Sequence, residues 1–308
     1  MLNVIREVAI VGLGALGILF GNQITKHIPK ENLRIVADDS RIKRYQTDQI
    51  YCNDEPCEFH YITPDTKTGA ADLVIFAVKN NDLSDAIRAV KNQVGEHTVM
   101  MSLLNGITSE DEIGRTYGMD KIVYCIALGM DAVRAGNRMT YQHPGMLCIG
   151  DLNSGRASDK VRAAAAFFDK THVKYEIDNN MSRKLWSKFM LNVGVNQAVA
   201  VFGDCYGDVQ RESVVRDVMI DAMKEVITLS KIEGIGLNET DLAYWIEVIG
   251  RLSPEGKPSM RQDVEACRYS EVDLFSGAVL ALGKKHGIST PVNEMLYRRI
   301  AELESGYA

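Results

Sequence analysis

The chain has 308 residues, 46% of them hydrophobic and 25% charged, which leaves room for two domains that each bury a core. Its net charge of −6, with no long Lys/Arg run to offset it, excludes non-specific nucleic-acid binding, so any anionic ligand must be met by local positive charge. The six cysteines (Cys52, Cys57, Cys125, Cys148, Cys205, Cys267) show neither Cys-x-x-Cys nor histidines at metal spacing, so no metal site is expected. Cys52 and Cys57 could pair, but reduced thiols in a cytoplasmic protein are the expectation.

The first element is a strand, Val8-Ala9-Ile10-Val11, running into Gly12-Leu13-Gly14-Ala15-Leu16-Gly17. This is the G-x-G-x-x-G spacing of a dinucleotide-binding turn. Gly12 allows a tight exit from the strand, Gly14 lets a pyrophosphate approach the backbone, and Gly17 lets the next helix lie close. The phosphates would rest on that helix's N-terminus, where free N–H groups and the helix dipole favour negative charge. The glycines also argue against reading 8–20 as a signal peptide, and no other stretch is apolar for long enough to span a bilayer.

A helix over 15–27 and a strand over 33–37 complete a β-α-β unit, the context that gives the glycine spacing its weight. Asp38 follows, roughly twenty residues past Gly17, where an acidic side chain meets the adenosine ribose hydroxyls. The plainer alternative is that Asp38 starts a turn or caps the next helix. A hairpin is expected over 49–62 with Asn53-Asp54-Glu55-Pro56 at its tip. The apolar run over 72–78 reads as a parallel strand covered on both faces and ends in Lys79, on the sheet edge where doubly wound folds place ligands. A helix over 82–94 and a strand over 98–104 follow, with Asn105-Gly106 just beyond on the same edge. Residues 122–151 alternate short strands with turns; His143 could serve as an acid or base, but beside Pro144-Gly145 a turn histidine is the expectation. A helix over 158–170 and a strand over 173–177 close the first domain. The boundary is placed at Asp178-Asn179-Asn180, giving domains 1–178 and 179–308.

From there the pattern is helical. In the helix predicted over 184–200, Lys188, Asn192 and Asn196 recur at i, i+4 and i+8 and form one polar stripe beside Leu185, Trp186, Phe189 and Val193. Asparagine is a mediocre helix former, so two in register with a lysine favour a stripe facing a cleft over a solvated one. Helices are expected over 211–233 and 239–252. Ser259-Met260-Arg261-Gln262 has capping-box form, sufficient to explain Ser259, and opens a helix predicted to run through Glu271 to Gly287. A last helix follows Pro291.

Taken together, these residues resemble the ketopantoate reductase family over essentially the whole chain. The resemblance rests on the glycine turn, Val78-Lys79, Leu104-Asn105-Gly106, Leu185-Trp186-Ser187-Lys188 with Asn192 and Asn196, and Ser259-Met260 with Glu271. It implies an α/β fold: an N-terminal Rossmann-type doubly wound sheet, then an all-α C-terminal domain like that of 6-phosphogluconate dehydrogenases, with the active site in the cleft between them. It implies an NAD(P)-dependent oxidoreductase that reduces 2-dehydropantoate to pantoate in pantothenate synthesis. Carried over residue by residue, it makes Lys188 the general acid and Glu271 its catalytic partner. Asn192, Asn196 and Ser259 hold the substrate, Asn105 sits near nicotinamide and substrate, and Lys79 contacts the cofactor. The chemistry agrees, because hydride arriving at a ketone carbon leaves negative charge on oxygen that a lysine ammonium stabilises and protonates.

The chain departs from the family pattern where NADPH-using members carry an arginine for the 2′-phosphate. Here the position holds Asp38, followed by Asp39, and Asp82 stands where a glutamine often helps. A carboxylate about 4 Å from a phosphate is unfavourable by about 1–4 kcal/mol, so NADH is expected to serve at least as well as NADPH, with Lys79, Arg41, Lys43 and Arg44 as the offsetting charges. The competing readings are a reductase of another branched 2-oxo acid and a nucleotide-sensing protein without catalysis. The expected partners are a small 2-oxo acid, no nucleic acid and no membrane, and the helical domain admits a homodimer.

Overall fold

The structure, a computed structural model, describes residues 4–307. The chain divides into two compact units: residues up to Leu104 together with Thr108–Met181, and Asn105–Ile107 together with the chain from Ser182 onward. The excursion of Asn105–Ile107 into the helical unit is not foreseeable from a linear reading.

Among the described residues the first unit has twelve strands: β1 (Val8–Val11), β2 (Leu33–Val36), β3 (Tyr51–Cys52), β4 (Glu55–Pro56), β5 (His60–Ile62), β6 (Leu73–Phe76), β7 (Val99–Ser102), β8 (Ile122–Met130), β9 (Val133–Ala135), β10 (Arg138–Thr140), β11 (Pro144–Gly150) and β12 (Tyr175–Ile177). Eight of them form one sheet in the order β12-β11-β8-β7-β6-β1-β2-β5. Its centre is parallel and every residue of β1, β2, β6 and β7 is buried, as apolar runs without alternation predict. The β11–β8 pairing is antiparallel, so β11 and β12, parallel to each other, run against the other six strands. The helices are α1 (Ala15–Thr25), α2 (Asp39–Asp48), α3 (Leu83–Ala89), α4 (Ser109–Tyr117) and α5 (Asp159–Thr171). The helix expected over 82–94 is shorter than its apolar spacing suggests, because α3 gives way to a 3₁₀ turn, Lys91–Gln93.

The remaining four strands make a small second sheet, β4-β3-β10-β9. The β3–β4 hairpin turns on Asn53 and Asp54, both at positive φ (47° and 64°), the backbone that a two-residue turn requires and that Asn and Asp tolerate. All six cysteines are free thiols.

The second unit is helical: α6 (Met181–Leu191), a π-turn (Asn192–Asn196), α7 (Gln197–Phe202), α8 (Tyr206–Gln210), α9 (Val214–Ile232), α10 (Glu239–Gly250), α11 (Ser259–Glu265), α12 (Ser276–His286) and α13 (Pro291–Glu304). Its core gathers Phe189, Met190, Met219, Met223, Phe275 and Leu296, each at most 1% exposed. α6 is tied to α10 by Arg183, whose Nη2 donates to both carboxylate oxygens of Asp241 at 2.8 and 2.6 Å. Among the described residues, no helix is long and apolar enough to cross a membrane.

The single helix predicted from Ser259 to Gly287 is in fact two. α11 stops at Glu265, and Cys267 takes a positive φ of 49°. The chain then passes through Glu271 into a short 3₁₀ turn, Val272–Leu274, before α12 begins. Arg268 holds the break by donating to Asp263 through both its backbone N–H and its Nε, each at 2.9 Å.

Candidate active site

In the first unit the three glycines of the turn are needed for different reasons. Gly12 has φ +95°, and a Cβ there would stand 2.5 Å from the Ala77 carbonyl oxygen; a Cβ on Gly17 would stand 2.1 Å from the Gly12 oxygen. Both are therefore required by the protein's own packing. Gly14 is not: its φ is −68°, and a Cβ would make only ordinary contact, 3.5 Å from Ala77 O. Gly14 is exposed, and it caps α1 with no side-chain partner and no acidic residue in the first turn. A bare helix N-terminus beneath a glycine that packing does not demand fits a dinucleotide pyrophosphate. Leu13, Ala15 and Leu16 complete this turn, with Leu13 buried and the other two half-buried.

Asp38 follows β2 and caps α2. Its Oδ1 accepts from the Arg41 backbone N–H at 2.8 Å and from the Ser40 hydroxyl at 2.6 Å. These two bonds, the hydroxyl first, hold its carboxyl below the usual aspartate range. The capping alternative is thus realised, but through one oxygen; Oδ2 lies 3.5 Å from Arg41 Nε. Arg41 also reaches Asp82, with Nη2 3.7 Å from Oδ1, so one guanidinium is shared by two carboxylates. Lys79 is exposed three residues after β6, where it precedes the 3₁₀ turn Asn80–Asp82.

Arg134, which nothing in the sequence singles out, is held against the same turn. From β9 its Nη1 donates to the Leu13 carbonyl and its Nε to the Gly136 carbonyl. Its guanidinium lies 5.9 Å from the Tyr45 ring centroid. One basic residue among 35 carries no local signature of such a role, because the approach depends on the small sheet.

The second unit assembles six of the expected residues into two groups. In the first, Lys188 Nζ donates to Asn105 Oδ1 at 3.1 Å, and Asn105 Nδ2 donates to Glu271 Oε2 at 2.9 Å. A carboxylate only accepts and an ammonium only donates, so this amide orientation alone satisfies both neighbours. Gly106, at φ +92°, makes the bend that follows Asn105 and lies against Leu274 beside the Glu271 segment. Glu271 is therefore no interior helix residue; the break after α11 frees its backbone to bring the carboxylate to Asn105.

In the second group, Asn196 Nδ2 donates to Asn192 Oδ1 at 3.2 Å, and the Ser259 hydroxyl donates to Asn196 Oδ1 at 3.2 Å. Ser259 does not cap its helix. Pro258 occupies the cap position and Ser259 is the first helical residue, so the capping-box explanation falls. Both asparagines are buried, at 7% and 5% exposure, which also excludes a solvated stripe.

They lie at the two ends of the π-turn, a distortion that often marks functional sites. Gly194 at its centre permits it, since a Cβ there would stand 2.5 Å from Met223 Cγ and 3.0 Å from the Met219 carbonyl oxygen. Gln197 stabilises the turn by donating to the Val193 carbonyl at 2.7 Å while accepting from Ser276 N at 3.1 Å. Next to the lysine, Trp245 Nε1 donates to the Ser187 hydroxyl at 2.8 Å. An ammonium, an amide and a carboxylate in series, with two buried amides on the same helix line and the α11 hydroxyl bonded to one of them, can bind an anionic polar substrate and deliver a proton to an oxygen.

Comparison with known proteins agrees over both units. Residues 8–154 match the family model described as ketopantoate reductase PanE/ApbA, and residues 180–304 match that of its C terminal. A 2-dehydropantoate 2-reductase of Streptococcus pyogenes serotype M6 is 25% identical over 295 residues, covering 94% of this chain and 95% of its own. A PanE/ApbA family ketopantoate reductase of Ralstonia eutropha JMP134 superposes with a TM-score of 0.82 at 25% identity, over 97% and 98% of the two chains. The fold is also that of a D-mandelate dehydrogenase solved with NADH and anilino(oxo)acetate, at a TM-score of 0.85, 20% identity and 98% and 99% coverage.

Proposed function

The chain belongs to the ketopantoate reductase family, and from that premise we propose that it reduces 2-dehydropantoate to pantoate, with Lys188 as the general acid. The observation that carries this reading is the Lys188–Asn105–Glu271 chain of hydrogen bonds. When bound, the nicotinamide cofactor supplies the hydride. Lys188 stabilises the negative charge developing on the former carbonyl oxygen and gives it a proton from Nζ. Asn105 accepts one Nζ hydrogen bond and so fixes the direction of the Lys188 side chain. Glu271 fixes the Asn105 amide and, being an acceptor, takes a hydrogen bond from the product hydroxyl. Asn192, Asn196 and Ser259 hold the polar end of the substrate.

The cofactor would lie on the glycine turn and the N-terminus of α1, with Lys79 beside it and Asp38 Oδ2, which takes no part in the cap, toward the adenosine ribose. Arg41 is already engaged by Asp38 and Asp82. This trio carries a net charge of −1, one guanidinium against two carboxylates, which supports NADH being used at least as well as NADPH. The test is steady-state oxidation of each nucleotide with 2-dehydropantoate and a panel of other branched 2-oxo acids. Turnover highest with 2-dehydropantoate, and at least as efficient with NADH, is expected. A better substrate from the panel would overturn the substrate assignment, and a strong NADPH preference the cofactor assignment.

A further inference from the structure

We propose that Arg134 is a dinucleotide-binding residue whose guanidinium meets the cofactor's pyrophosphate; the proposal rests on the cofactor reading above. Three observations carry it. First, Arg134 is fixed against the glycine turn itself, since its Nη1 donates to the carbonyl of Leu13, between Gly12 and Gly14. Second, the side chain is held on its other sides, by the Gly136 carbonyl on Nε at 2.8 Å and by the Tyr45 ring beneath the guanidinium. Such a fork loses little freedom when it binds. Third, its charge is uncompensated. The ion pairs formed among the described residues engage Arg34, Arg41, Arg88, Arg138 and Arg162 of this unit with carboxylates, but both hydrogen bonds of Arg134 go to neutral carbonyls.

A half-buried cation without a carboxylate is costly unless an anion completes it. In a protein of net charge −6, a cation pinned to a phosphate-binding turn selects a phosphate. The protein atoms use Nε and Nη1, so the Nη2 protons remain for charge-assisted hydrogen bonds to phosphate oxygens. The pyrophosphate is common to NADH and NADPH, so Arg134 should serve both nucleotides equally, in contrast to Asp38.

The test is the dissociation constant of NADH and of NADPH for the full chain, followed by nucleotide fluorescence at several salt concentrations. Arg134→Gln should raise Kd at least tenfold for each nucleotide, and Kd should rise less steeply with salt than in wild type. Arg134→Lys should restore the salt dependence with part of the affinity. Arg138→Gln, on the neighbouring strand β10 and paired with Asp54, should bind as wild type, which separates a lost phosphate contact from a weakened small sheet. Unchanged Kd in Arg134→Gln, a loss confined to NADPH, or an equal loss in Arg138→Gln would overturn the assignment. Wild-type protein that binds neither nucleotide would instead overturn the cofactor reading, and this one with it.

Discussion

Gly14→Ala should leave the fold intact and impair only the cofactor. The new methyl group meets nothing closer than 3.5 Å, and φ at −68° suits any residue. Replacing a glycine cap by alanine costs about 1 kcal/mol, offset by about 0.4–1 kcal/mol from the reduced freedom of the unfolded chain. The net change in stability is therefore within about 1 kcal/mol, or roughly 2–4 °C in Tm. A pyrophosphate lying on the turn, by contrast, would be pushed off backbone N–H donors, and one lost hydrogen bond to a charged group is worth about 1.5–3 kcal/mol. Kd for NADH should rise at least tenfold. Gly12→Ala and Gly17→Ala should behave in the opposite sense. Their methyl groups would fall 2.5 and 2.1 Å from backbone oxygens, and strain of about 1–3 kcal/mol should lower Tm whether or not nucleotide is present. Thermal unfolding and nucleotide binding on the three variants decide it. Wild-type affinity in Gly14→Ala would show that no pyrophosphate lies on this turn, and a Tm loss matching that of Gly17→Ala would show that packing demands Gly14 after all.

Two other expectations follow from the charged groups. Asp38→Ala removes both a helix cap, worth about 1 kcal/mol, and a carboxylate from the ribose end. Its Tm should fall slightly while the ratio of kcat/KM for NADPH to that for NADH rises about tenfold or more; an unchanged ratio would remove Asp38 from the cofactor site. Glu233 accepts from Lys285 Nζ and pairs with His286 Nε2, each at 2.6 Å, and these partners, the lysine first, hold its carboxyl below its ordinary value of 4.5. A depressed folded-state pKa stabilises above the unfolded value and is lost as pH falls through the folded one. Glu233→Gln should therefore lower the urea midpoint at pH 7 but have a smaller effect near pH 3, and an equal effect at both would rule this linkage out.

The parts of the site that were legible in sequence are those whose chemistry is local. The glycine turn is six consecutive residues, and Lys188, Asn192 and Asn196 lie on one helix, so spacing alone aligns them. What escaped depends on contacts between distant segments. The π-turn arises because Gly194 lets the α9 backbone at Met219 approach, and neither residue signals this by itself. Ser259 has a capping signature, but Pro258 takes the cap and Asn196 claims the hydroxyl. Glu271 looked like a helix residue because no Gly or Pro interrupts 259–271; the break relies on Arg268 and Asp263. Arg134 needed the small sheet, whose strand pairings join Tyr51 to Arg138.

In the proposed reaction Lys188, steadied by Asn105 and Glu271, supplies the proton. The most direct measurement is kcat/KM for 2-dehydropantoate in Lys188→Ala, alongside its Kd for NADH. kcat/KM should fall roughly 10²–10⁴-fold with nucleotide affinity unchanged. Near-normal turnover of that substrate by Lys188→Ala would contradict it.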